Sequence, residues 1–123
     1  MHIFYAKDHS QQDETMSYLD SLRAQLPHHT FFNRVVDGRI EMIGPAAVNG
    51  VLAQSRVGLC LSAEEGAMYA CVEYLLAGLP VVSTPNIGGR DLFSDPQFWI
   101  TAEATPEAIK NAVDEIIRRD VSP

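Results

Sequence analysis

Long apolar runs are missing from this sequence, and cations are few. No stretch reaches the ~18 consecutive apolar residues that a membrane-crossing helix needs, so no span is expected. Lys and Arg together number 9 against 16 Asp and Glu, for a formal net charge of -7. A binder of nucleic acid or of an anionic membrane wants a basic patch, and this balance argues against both. Cysteine is scarce as well. Cys60 and Cys71 fall in apolar segments, one strand-like and one helical, and read as buried thiols in a reducing, cytoplasmic setting. With two cysteines and four scattered histidines, no metal-ligand spacing forms, and neither a metal nor a cofactor is expected. The opening "MHIFYAKDHS" lacks the basic n-region and small-residue cleavage site of a signal peptide. There is no internal repeat, low-complexity tract or linker.

What remains is an ordinary globular composition, 46% apolar and 20% charged over 123 residues. That is enough for one domain with one core. "HIFYA" (2–6) is compact and β-rich. Residues 10–26 place Met16, Leu19, Leu22 and Leu26 at helical spacing, with Ser10 as a cap and Pro27 as a stop. "HTFFNRVVDGRIEMIG" has two readings. Asp37-Gly38 between apolar runs signals a hairpin; alternatively "RIEMI" alone is a core strand. A short helix follows over 46–55. "RVGLCLS" (56–62) is a near-continuous apolar run of the kind found in strands buried on both faces. A helix over about 66–77 ends at Gly78, its C′ residue, and Pro80 blocks continuation.

"PVVST" (80–84) reads as the next buried strand and "PNIGGRD" (85–91) as a loop. "FWITA" (98–102) reads as a strand. The last helix, 105–119, has Thr105 as cap, Pro106 at its first position, and Arg118 and Arg119 at its C-terminal dipole. Such alternation predicts an α/β fold: a Rossmann-like parallel sheet with helices on both faces, and the 56–62 and 80–84 strands adjacent and central. Ligands of such sheets bind at the carboxyl ends of the strands, which here include Ser62 to Gly66 and Thr84 to Asp91.

The helix over 66–77 poses the sharpest question. Cys71, Leu75, Met68, Val72 and Leu76 share one broad apolar arc, expected to be buried. Glu73 is the helix's single charge and lies in a narrower stripe with Tyr69, Ala70 and Ala77. It either faces water or has a partner that the sequence does not show, because a buried carboxylate costs several kcal/mol alone. At the helix mouth, Gly66 permits close approach, and free backbone N–H groups there suit a phosphate. A plainer reading is also available. "SAEE" (62–65) fits a capping box, with Glu65 reaching back to Ser62, and Glu73 then occupies the wet stripe of a surface helix. Gly88-Gly89 fits a simple turn as well as a phosphate cradle. His28-His29 and Lys7-Asp8 read as solvated, and Met16 and Met42 as core.

The order of these segments is more specific than any one of them. "LAQSRVGLCLSAEEGAMYACVEYLLAGLPVVSTPNIGGRDLF" (52–93) resembles the donor-binding, C-terminal half of GT-B-fold retaining glycosyltransferases, the E-x(7)-E type of glycosyl transferases group 1. The matching features are Ser62 ending a strand, Glu65-Gly66, Glu73, the run Ala77-Gly78-Leu79-Pro80-Val81-Val82, then Gly88-Gly89 and Asp91. The resemblance implies one nucleotide-sugar-binding domain over 1–123 and a nucleoside diphosphate sugar as donor, its sugar transferred with retained configuration to an unknown acceptor. It implies that Glu65 is the catalytic-site carboxylate on the donor sugar's hydroxyls. Glu73 would accept both ribose hydroxyls. The backbone of Gly66, Ala67 and Met68, with Gly88 and Gly89, would hold the sugar and diphosphate.

There are departures. Gly66-Ala67-Met68 stands where the family usually has Gly-aromatic-Gly. The family's opening strand, with the Arg and Lys that clamp the diphosphate, is not found, which leaves Lys7 or Arg34 as substitutes. Nor is an N-terminal acceptor domain found. The chain is therefore expected to be inactive alone and to need an N-terminal GT-B domain or a partner subunit. Two alternatives stand beside this reading. One is a non-catalytic α/β module that binds a nucleotide sugar or a protein. The other, a receiver-like signalling domain, suits the length. It is disfavoured because the strand ends read Lys7-Asp8, Ser62 and Thr101-Ala102, without that pattern's acids and Lys.

Overall fold

The computed structural model describes residues 12–32, 34–64 and 69–123, with side chains from residue 16 onward. The chain divides into two units, Met1–Ala47 and Val48–Pro123. The expected strand over 2–6, the cap Ser10, the pair Lys7-Asp8 and the helix mouth Glu65, Gly66, Ala67 and Met68 lie outside the described residues.

In the first unit, α1 (Gln12–Gln25) is the expected helix. Its apolar spacing puts Leu19 fully in the interior, with Met16, Leu22 and Leu26 half-buried. It packs against β2 (Arg39–Ile40), whose Ile40 is buried. Arg23 lies over the ring of Phe31, 5.7 Å from its centroid. The two readings of the following segment resolve in favour of the hairpin. β1 (Val35–Val36) pairs antiparallel with β2, Val35 opposite Ile40 and Val36 opposite Arg39. Asp37 and Gly38 between them have φ of 50° and 71°, the type I′ geometry that matches the twist of a two-residue hairpin. Met42 was expected in the core but is 67% exposed. It lies past the end of β2, where no strand pairs with it among the described residues.

A short helix, α2 (Pro45–Leu52), carries the chain into the second unit. Pro45 loses nothing at a first helical position, whose N–H has no intrahelical partner. Ser55 Oγ donates to the carbonyl of Val51 at 2.9 Å and so satisfies an orphan acceptor at the far end. Val51 and Leu52 are buried.

The second unit is an α/β layer structure. β3 (Gly58–Cys60), β4 (Val81–Ser83) and β5 (Trp99–Thr101) form a parallel three-stranded sheet in the order β3-β4-β5. α3 (Tyr69–Leu76) packs on one face, against β3 and β4. α4 (Pro106–Arg119) packs on the other, against β4 and β5. The alternation of a pleated strand assigns the side chains. Cys60, Val81 and Trp99 meet Cys71 of α3, with Val72, Tyr74 and Leu75 at the margin. Val82 meets Ala112 and Ile116 of α4. Both cysteines are fully buried. The α/β class and its parallel sheet flanked by helices agree with the sequence.

Two details of β3 and α3 are corrections. β3 is adjacent and parallel to β4 as expected, but it is an edge strand of the described sheet and not a central one. Among the described residues it is also covered on one face only. Leu59 is level with Val82 on the α4 side, yet α4 lies across β4 and β5, so Leu59 is left 45% exposed. The apolar arc of α3 is likewise narrower than its composition suggests. Cys71 is buried and Val72 and Leu75 are half-buried, but Leu76 is 83% exposed. A helix seated on a sheet edge buries one stripe however apolar its other sides are.

Helix ends follow the sequence signals. Gly78 has φ 77°; its N–H bonds Leu75 O at 3.0 Å, and Leu79 N–H bonds Tyr74 O at 2.9 Å. This pair of bonds is the Schellman arrangement that closes α3 and turns the chain into β4. At α4, Thr105 Oγ1 accepts from Ala108 N at 3.2 Å, with Pro106 next to it. Arg118 and Arg119 sit in the last turn, each paired with Glu115.

Candidate functional site

The parallel strands end at one edge, and the loops that leave them are the place to look for chemistry. β3 and β4 begin to separate there. Thr84 N–H bonds Cys60 O at 3.2 Å, the next rung after the strands proper. A regular parallel ladder would continue two residues on, from Asn86 N–H to Ser62 O. Instead it resumes three residues on, where Ile87 N–H bonds Ala63 O at 2.9 Å and Glu64 bridges Ile87 in parallel. The carbonyl of Ser62 is thereby skipped.

Arg90 fills the gap. Its guanidinium is 0% exposed, and its Nη2 donates to Ser62 O at 3.0 Å and to Thr84 O at 2.7 Å. The two N–H groups of one terminal nitrogen thus tie the outgoing end of β3 to that of β4. Charge-assisted bonds of this kind are the strong ones. Arg90 begins a 3-10 turn (Arg90–Phe93) that packs against α3. Beside it, Asn86 Nδ2 donates to Asp91 Oδ1 at 3.2 Å, while Asn86 Oδ1 is buried without a hydrogen-bond partner, at a cost of about 1–3 kcal/mol. Arg90 is not among the expected site residues, although Gly88-Gly89 and Asp91 flank it. A signal was available: Arg90 is the only Lys or Arg between Arg56 and Lys110.

The expected site residues fall as follows. Gly88 is exposed and Gly89 half-buried, both in the loop beside Glu64. Glu73 is exposed on α3, and no ion pair or side-chain hydrogen bond engages it among the described residues. Of water and a hidden partner, the described residues leave Glu73 to water. Its stripe is as expected in part: Tyr69, 77% exposed, and Ala77 flank it, Ala70 is half-buried, and Leu76 joins them. Glu65, Gly66, Ala67 and Met68 lie between the described Glu64 and Tyr69 and are not placed. His28 and His29 are exposed, as is Arg34. A groove lined by Ser55, Arg56, Pro80 and Asp120 opens at the opposite end of the sheet, where β3 and β4 begin.

The family model described as Glycosyl transferases group 1 matches residues 17–119. The chain belongs to this family. No curated protein and no solved structure gives a significant match. As a group 1 glycosyl transferase domain, the chain holds within the matched span both the loops at the carboxyl edge and the α3 carboxylate. Among the described residues no helix is long and apolar enough to cross a membrane.

Proposed function

We propose that the chain is the donor-binding half of a retaining GT-B glycosyltransferase of the E-x(7)-E type. It is one nucleotide-sugar-binding domain over 1–123, working in the cytoplasm with an N-terminal GT-B domain or a partner subunit. Its donor is a nucleoside diphosphate sugar. Glu73 takes the two ribose hydroxyls, since an ionised carboxylate has two acceptor oxygens for two adjacent donors. Glu65 takes hydroxyls of the donor sugar. The backbone of Gly66, Ala67 and Met68, with Gly88 and Gly89, takes the sugar and diphosphate.

The observation that carries this reading is Glu73. An unengaged carboxylate sits in water between an exposed tyrosine and an exposed leucine, on the helix that follows β3 from its carboxyl end. Membership of the family supports the reading. The diphosphate clamp stays unassigned: Arg90, a described cation at this edge, donates to two backbone carbonyls and is sealed from solvent. The isolated chain is therefore expected to bind donor nucleotide and to transfer little sugar.

A second reading is favoured by one observation. Tyr69, Leu76, Ile87 and Leu92 are all large, apolar and exposed, which suits a non-catalytic module that meets another protein. Calorimetric titration with uridine, guanosine and adenosine diphosphates separates the two. Saturable binding of one of them supports the donor site. No binding of any of the three, under conditions where the chain is folded, removes it.

A further inference from the structure

We propose that Arg90 is a positioning residue of the donor site, setting the separation of the two loops between which the nucleotide sugar is held. The proposal rests on the donor reading above. Its ground is the interrupted ladder. Beyond Cys60 and Ser83 the strands lose one rung, the one that would run from Asn86 N–H to Ser62 O, and the ladder resumes only at Ile87 N–H to Ala63 O. Arg90 supplies the missing donor from within the 85–91 loop itself. One guanidinium nitrogen holds Ser62, two residues before the Glu64–Ile87 bridge, and Thr84, where the other loop departs.

The side chain is fully buried, so it acts on a ligand through the loops and does not touch it. A site shared between two loops tolerates only about 0.5 Å of misplacement before contacts loosen. An arginine suits this task where a lysine does not: its planar fork fixes direction as well as charge. The signature of positioning is local. Losing Arg90 should free the loop rungs while the sheet and α4 stay intact.

The test compares wild type with Arg90→Met and Arg90→Lys by amide hydrogen exchange and by titration with the same three nucleoside diphosphates. In Arg90→Met the Ile87 amide, bonded to Ala63 O, should exchange roughly ten- to a hundredfold faster, the factor expected for charge-assisted bonds lost from a local opening equilibrium. Amides in the middle of α4 should keep their protection. Nucleotide affinity should fall at least about tenfold, with Arg90→Lys intermediate. If Arg90→Met does not fold, Arg90→Lys carries the comparison. Unchanged Ile87 protection, or equal loss of protection throughout the unit, overturns the proposal. So does unchanged affinity in a folded variant of a wild type that binds. If wild type binds none of the nucleotides, the donor reading fails and this role with it. Accelerated Ile87 exchange would then mark Arg90 as a loop anchor only.

Discussion

The ring of Tyr74 occupies the space above Gly58: a Cβ placed on Gly58 would overlap Tyr74 Cδ2. This contact seats α3 on β3. It explains why a strand otherwise made of apolar side chains carries a glycine where it does. Side chain against backbone at that spacing has no room to adjust, so Gly58→Ala should destabilise by about 1–3 kcal/mol, the range for overpacking. Urea unfolding would read this as a lower midpoint. The double variant Gly58→Ala/Tyr74→Ala should show strong coupling, with the alanine at 58 costing little once the ring is gone. Additive losses would mean that the contact does not set the helix position.

Glu73→Gln tests the donor reading. The variant keeps one acceptor oxygen and loses the charge, and hydrogen bonds to charged groups contribute about 1.5–3 kcal/mol. Nucleotide affinity should fall by roughly ten- to a hundredfold. Because Glu73 is exposed and unengaged, stability should move by no more than about 0.5 kcal/mol. Thermal unfolding therefore serves as the control, and calorimetry decides. Equal affinity in a wild type that binds would take Glu73 out of the site.

Gly78 closes α3 with φ 77°, and a Cβ there would meet Ser122 Oγ at 3.0 Å. An L-residue in this region costs roughly 1–2 kcal/mol. Gly78→Ala should lower the unfolding midpoint accordingly, and Gly78→Asn by less, since asparagine accepts the left-handed conformation more readily. The reverse ranking would show that crowding against Ser122, and not the backbone angle, sets the cost.

Thr105→Ala removes the cap bond to Ala108 N. The expected loss is about 1 kcal/mol, because α4 carries the Ala112 and Ile116 side of the core against Val82. Thr105→Ser should retain most of the stability. A serine variant as weak as the alanine would argue that the threonine methyl, not its oxygen, is what matters.

The sequence by itself determined most of what depends on local rules. Hairpin chemistry at Asp37-Gly38, the Gly78 stop, the Thr105-Pro106 start and the alternation of strands and helices are set by φ preferences, missing N–H groups and short-range hydrogen bonds, which a reader of residues can apply one window at a time. The exposed stripe around Glu73 was likewise legible, since helical periodicity places Tyr69 and Ala77 beside it.

Coverage was not legible. Apolar composition says that Leu59, Leu76 and Met42 are able to be buried, but only the placement of α4 over β4 and β5, and the seating of α3 at the sheet edge, decides which of them has something to be buried against. Arg90 is the clearest case. In the sequence it is one charge in a turn-rich loop. Only when β3 and β4 lie side by side do Ser62 O and Thr84 O come within reach of one guanidinium nitrogen. Its burial depends on carbonyls from two strand ends that are far apart along the chain, a relation that tertiary structure alone creates.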